Sequence, residues 1–242
     1  MKLRRAPAAL AAMVALAALR LHTLSVEQEH LAEARRRIAD GVMRLVIIGD
    51  SVAHGAGDES GSGISGDLDR ILRARGIAFV PTLNLGINGA RTYAIENLLR
   101  LRSTVNAMRL CDAVIVSIGG NDLFGDRISQ WRSFLLPALA MRSALNQVDQ
   151  IVAQIRRVNP AARVYLLGLY NPYRNSAGAH FLDRQIAMWD SRLIARFADQ
   201  LNVDVVRIAD LFAFTSRLSS LDHFHPSQEG YALIAQRIAA TW

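Results

Sequence analysis

The chain has 242 residues, of which 51% are hydrophobic, and carries a net charge of +7. That length and apolar content suit one domain of ordinary size with a single core. The charge does not point to nucleic acid: Lys2 is the only lysine, the arginines are spread along the chain, and the longest basic run is Arg35-Arg36-Arg37. Cys111 is the only cysteine, so no intrachain disulfide can form.

Residues 1–24 begin with Lys2, Arg4 and Arg5 and continue as an uncharged stretch from Ala6 to Leu19. A membrane-spanning helix needs about 20 apolar residues, whereas the apolar region of a signal peptide needs about 7–15. The stretch falls in the second range, and Ala15-Leu16-Ala17 offers a small-residue cleavage site. The segment is therefore expected to act as a signal peptide or short N-terminal anchor. The protein would then be exported or membrane-anchored, in a bacterial periplasm, envelope or medium, with membrane association through this segment. Residues 25–41 are rich in Glu and Arg, with Glu33 and Arg37 four apart, and are expected to form an exposed helical linker.

The domain proper is expected over residues 42–242. Leu45–Ile48 is a short apolar run rich in β-branched residues and reads as a first buried strand. A loop over Asp50–Ser62 leads to a helix at Ile64–Arg75, stopped by Gly76. A second strand is expected at Ile77–Leu85, interrupted by Pro81, and a turn-rich loop follows through Gly89. Helical spacing of Ile95, Leu98, Leu99 and Val105 predicts one helix over Thr92–Arg109. Ala113–Ile118 is a third strand. Residues 127–158 are helical with a break near Pro137, Val164–Leu169 is a fourth strand, and residues 180–200 form another helix. A fifth strand at Val203–Ile208 precedes a loop to Pro226 and a last helix from Ser227. Strands that alternate with helices in this way predict a parallel sheet covered on both faces.

Polar clusters begin where strands end: Gly49-Asp50-Ser51, the loop with Gly86, Gly119-Gly120-Asn121-Asp122, and Asp222 to Pro226. In an open parallel sheet the strand C-termini share one edge, where ligands bind, so these distant clusters can converge. Their chemistry suits acyl transfer. Ser51 is a candidate nucleophile, which an imidazole must relieve of its proton. His225 is the candidate base, with Asp222 to hold its tautomer. Backbone N–H groups of Ser51 and Gly86 and the Asn121 amide are candidate donors to a developing oxyanion. Asp50 and Asp122 are read as structural acceptors.

These four clusters, in this order, resemble the conserved blocks of the GDSL, or SGNH, hydrolases. The resemblance covers about residues 44–240 and implies a flavodoxin-like three-layer α/β/α sandwich with five parallel strands. It implies hydrolysis of carboxylic esters through an acyl-serine, with Ser51, His225 and Asp222 as the triad and Ser51, Gly86 and Asn121 as the oxyanion hole. The alternative is an acyltransferase passing the acyl group to a sugar or glycan. No metal or other cofactor is implied. The substrate is expected to be a small-molecule, lipid or glycan ester, with His54, Leu123, Phe124 and Tyr170 as candidate contacts. Trp131, Phe134 and the rest of the stretch Tyr170–Tyr173 are further candidates for an acyl pocket.

Two other patterns carry little. His223 and His225 have no accompanying cysteine or H-E-x-x-H motif, so no metal site is expected. Gly61-Ser62-Gly63-Ile64-Ser65-Gly66 matches G-x-G-x-x-G, but it begins 13 residues after Ile48, and residues 70–95 contain no Asp or Glu. A dinucleotide site needs the glycines at the strand end and an acid about 20 residues later.

Overall fold

The computed structural model describes residues 41–125 and 137–242. The expected leader and nearly all of the expected linker therefore lie outside the described residues, as do Trp131 and Phe134. Five strands form one sheet: β1 (Val42–Gly49), β2 (Ala78–Gly86), β3 (Ala113–Ser117), β4 (Arg163–Leu167) and β5 (Val203–Val206). All neighbours are parallel, in the order β2-β1-β3-β4-β5. That is the flavodoxin-like order, whose switch point lies between β1 and β3.

Eight helices connect and flank the strands among the described residues: α1 (Ser51–His54), α2 (Gly63–Ala74), α3 (Thr92–Leu98), α4 (Arg102–Leu110), α5 (Gly120–Phe124), α6 (Pro137–Val158), α7 (Ala179–Phe197) and α8 (Gln228–Ala239). None of these is long and apolar enough to cross a membrane. Side chains alternate across each strand, so the sheet feeds two cores. Leu45 and Ile47 of β1 pack with Ile64, Leu68 and Leu72 of α2 and Tyr231 and Ile234 of α8. Val46 and Ile48 face the other way, onto Ile95 of α3, Met108 of α4, Ile151 of α6 and Trp189 of α7. A strand buried on both faces reads as a continuous apolar run, which is why Leu45–Ile48 shows no alternation in sequence.

Pro81 does not end β2. The strand lies at the sheet edge, and its register against β1 shifts between Arg44 and Val46, so a residue without an N–H is accommodated there. The next edge N–H, of Thr82, is bound by the Asp69 carboxylate at 3.0 Å.

The single helix expected over Thr92–Arg109 is two. Arg100 and Leu101 donate to the carbonyls three residues back, closing α3, and Leu101 is extended before α4 begins. No Gly or Pro marks the break. The apolar spacing runs on through it, because both short helices bury residues on the same core, Ile95 and Leu99 first and then Met108.

The register aligns Gly49 of β1 with Gly86 of β2 and with Ser117 of β3. Three strands thus end at one level, and the loops after them share one edge of the sheet.

Candidate active site

Gly49 ends β1 with φ +141°, and a Cβ there would lie 1.9 Å from the Ser117 carbonyl oxygen. Only glycine permits that approach, and it turns the chain sharply out of the sheet. Asp50 follows as the cap of α1. Its carboxylate accepts from the Val52 N–H and the Ser117 hydroxyl, both at 3.1 Å. Burial pushes this carboxyl up to about 6, against the pull of those hydrogen bonds. The cost of keeping it ionised at neutral pH is on the order of 3 kcal/mol. Each fully buried aliphatic side chain of the strand before it contributes roughly 1.5–3 kcal/mol, so β1 outweighs it. Ser51, the first residue of α1, keeps its N–H free of intrahelical bonds because first-turn donors have no acceptor within the helix.

The fourth cluster folds into a tight loop. Ser219 N–H donates to the His225 carbonyl, and Leu218 pairs with Pro226. His223 adopts φ +54°, unusual for a residue with a side chain. This turn lets one oxygen of Asp222 accept the N–H groups of Phe224 and His225 at 2.9 and 3.0 Å, while the other meets His225 Nδ1 at 2.6 Å. Burial alone would raise the Asp222 carboxyl, but these hydrogen bonds prevail and hold it below its ordinary value. A carboxylate only accepts, so Nδ1 carries the hydrogen and Nε2 is left as an acceptor. Nε2 stands 2.9 Å from the Ser51 hydroxyl oxygen.

The loop after β2 corrects the sequence reading. Gly86 was expected to offer its N–H to the site, yet that N–H donates to the Asn84 side chain at 2.9 Å. Alternate N–H groups of an edge strand point away from the sheet; that of Ile87, the next residue, binds the Gly49 carbonyl. Gly89, three residues on, borders the cleft with Ser51, Asn121 and His225. The sequence carries both glycines in Asn84–Ala90, and nothing short of the chain path distinguishes them.

Asn121 lies in α5, after the β3 terminus. Its amide donates one hydrogen to the Ala90 carbonyl at 2.9 Å, and the second hydrogen remains for another acceptor. Asp122 accepts from the Thr92 N–H at 3.1 Å and hydroxyl at 2.7 Å, tying α5 to the start of α3. Both acids are structural acceptors, as read from the sequence.

Two cavities open beside Ser51. One is mostly apolar and is walled by Phe124, Leu169, Tyr170, Leu182, Ile208 and Phe224. The other is bordered by Asn88, Gly89, Tyr173, Asp222, Phe224 and His225. Phe224 stands between them, its ring edge-on to His225 at 4.8 Å, and its carbonyl accepts the Tyr170 hydroxyl at 2.9 Å. Of the four candidate contacts, Phe124 and Tyr170 line the apolar cavity. Leu123 instead packs against the core on the α7 side of the sheet. His54 lines neither cavity; its ring meets the Gly86 carbonyl at 3.2 Å. Phe224 was missed because a residue between Asp222 and His225 reads as a spacer.

A family model described as GDSL-like Lipase/Acylhydrolase matches residues 47–233. The chain belongs to this family. Family membership supports ester hydrolysis as its general activity. Among curated proteins the chain is 27% identical over 203 residues to an uncharacterized Bacillus subtilis protein, YpmR, covering 80% of this chain and 79% of the relative. Among solved structures it resembles the lipase Lip_vut3 from a goat rumen metagenome (TM-score 0.69, 19% identity, 82% of this chain and 96% of the other). It also resembles a phospholipase A1 from Streptomyces albidoflavus NA297 (TM-score 0.60, 20% identity, 83% and 99%). At these identities the structures share the fold of this GDSL-like chain.

Proposed function

We propose that this family member is a serine ester hydrolase that works through an acyl-serine intermediate. The observation that carries the reading is the unbroken relay from the Ser51 hydroxyl through His225 to the Asp222 carboxylate. Ser51 Oγ attacks the ester carbonyl while Nε2 takes its proton. The negative charge that develops on the carbonyl oxygen is met by the Ser51 N–H and the second hydrogen of the Asn121 amide. Gly89 takes the part expected of Gly86, since its N–H has no partner among the described residues. His225 then returns the proton to the departing alcohol. Water, activated by the same imidazole, releases the acid. The apolar cavity takes the acyl chain.

Ser51→Ala is expected to lower kcat on p-nitrophenyl esters by about 10⁴–10⁶ and to abolish labelling by a fluorophosphonate probe. Parental turnover by that variant would sink the mechanism. Export or anchoring through residues 1–24 belongs to the same proposal. Fractionation of cells expressing the full chain tests it, and activity confined to the soluble cytoplasm would exclude it.

A further inference from the structure

The two cavities beside Ser51 differ in what their polar groups are free to do. Those bordering the apolar cavity are engaged within the protein: Asp50 with Val52 and Ser117, Ser51 with His225, and Tyr170 with Phe224. The cavity therefore offers a ligand little but hydrocarbon contact, apart from the second Asn121 hydrogen. The second cavity contains two polar side-chain groups with no partner among the described residues, the exposed Asn88 amide and the Tyr173 hydroxyl. Burial, with the Asp222 charge nearby, raises the Tyr173 phenol, which therefore stays a neutral group able to donate and accept.

The proposed chemistry assigns a side to each half of an ester. When the Ser51 Oγ–carbon bond has formed, the bond from that carbon to the alcohol oxygen must break. The proton held on His225 Nε2 goes to that oxygen, so the alcohol must lie beside His225. His225 borders the second cavity and not the apolar one. We infer that the second cavity is a leaving-alcohol subsite for a hydroxylated alcohol of the glycerol or sugar class, recognised by the Asn88 amide and the Tyr173 hydroxyl. Tyr173 also lies against Phe224, with ring centroids 5.8 Å apart, so the subsite has an aromatic wall as well as donors. A hydroxylated alcohol satisfies both orphan groups, whereas a simple alkyl alcohol strips water from them without replacing it. The inference rests on the esterase reading above.

The experiment holds the acyl group constant and varies the alcohol: a monooctanoyl ester of glycerol against ethyl octanoate, each with the full chain. The ratio of kcat/KM for the glycerol ester to that for the ethyl ester is expected to exceed about 10. Asn88→Ala and Tyr173→Phe are each expected to lower that ratio about 3- to 10-fold. Both rates come from one preparation, so loss of folded protein does not move the ratio. A ratio at or below one, or a ratio unchanged in both variants, overturns the alcohol assignment while leaving the esterase reading intact. Failure to cleave any ester, with no fluorophosphonate labelling at Ser51, overturns both.

Discussion

Gly57 lies so close to His225 that a Cβ at position 57 would stand 2.6 Å from the His225 Cβ. Its φ of +82° is also one that side chains rarely adopt. The loop after α1 and the loop carrying the imidazole are therefore packed backbone against side chain, at a point with no slack. Gly57→Ala is expected to push the imidazole away from Ser51 and lower kcat about 10- to 100-fold, because small misplacements of reacting groups are costly. Steady-state kinetics and the rate of fluorophosphonate labelling check this, and an unaltered labelling rate would show that the contact does not hold His225.

Glu59, two residues further, clasps the same loop. One carboxylate oxygen accepts from the Ser219 and Ser220 hydroxyls and the Ser220 N–H, and the other from the Gln228 N–H at 3.3 Å. Its own N–H first, and then these groups, bring the carboxyl down to about 2. A depressed carboxyl contributes stability above its unfolded value near 4.5, and that contribution is lost as pH falls toward 2. The difference in Tm between the parent and Glu59→Ala should be full at pH 6 and shrink between about pH 4 and pH 2. A constant difference across that range would mean the charge is not what holds the loop.

Asp50 has the opposite sign. Burial raises its carboxyl to about 6 from an ordinary 3.8, so the folded state favours the protonated form. Its contribution to stability is fully present below pH 4 and is lost as pH rises through 6. Asn at this position keeps an oxygen for Val52 and Ser117, which both bind the same carboxylate oxygen. Asp50→Asn is therefore expected to fold and to lose this part of the pH dependence between about 4 and 6. Asp190, also raised to about 6 by burial, keeps its own part in both proteins, so the difference between their denaturation curves isolates Asp50.

Asn121 tests the oxyanion assignment. One amide hydrogen is held by the Ala90 carbonyl, which fixes the direction of the other. Asn121→Ala should reduce kcat by about 10²–10³ with little change in KM, as for loss of one donor that acts chiefly in the transition state. A change confined to KM would assign Asn121 to ground-state binding instead.

Much of this could be read from the residues alone. The runs of β1, β3 and β4 are buried on both faces, so their apolar content marks them without tertiary knowledge, and strand–helix alternation leaves few topologies. That Ser51, Asp222 and His225 would meet was legible because acyl transfer calls for those residue types, and because Asp222 and His225 are three apart on one loop. What the sequence could not determine depended on direction and on partners. Gly86 and Gly89 are equivalent as letters, and only the path of β2 shows that the first N–H is taken by the Asn84 side chain while Gly89 is the glycine that borders the cleft. The helical spacing of Ile95, Leu98, Leu99 and Val105 runs on through a break made by two backbone hydrogen bonds. Phe224, Gly57 and Glu59 matter through contacts with residues far along the chain. Local spacing records which face a side chain takes, but not what waits on the other side of the fold.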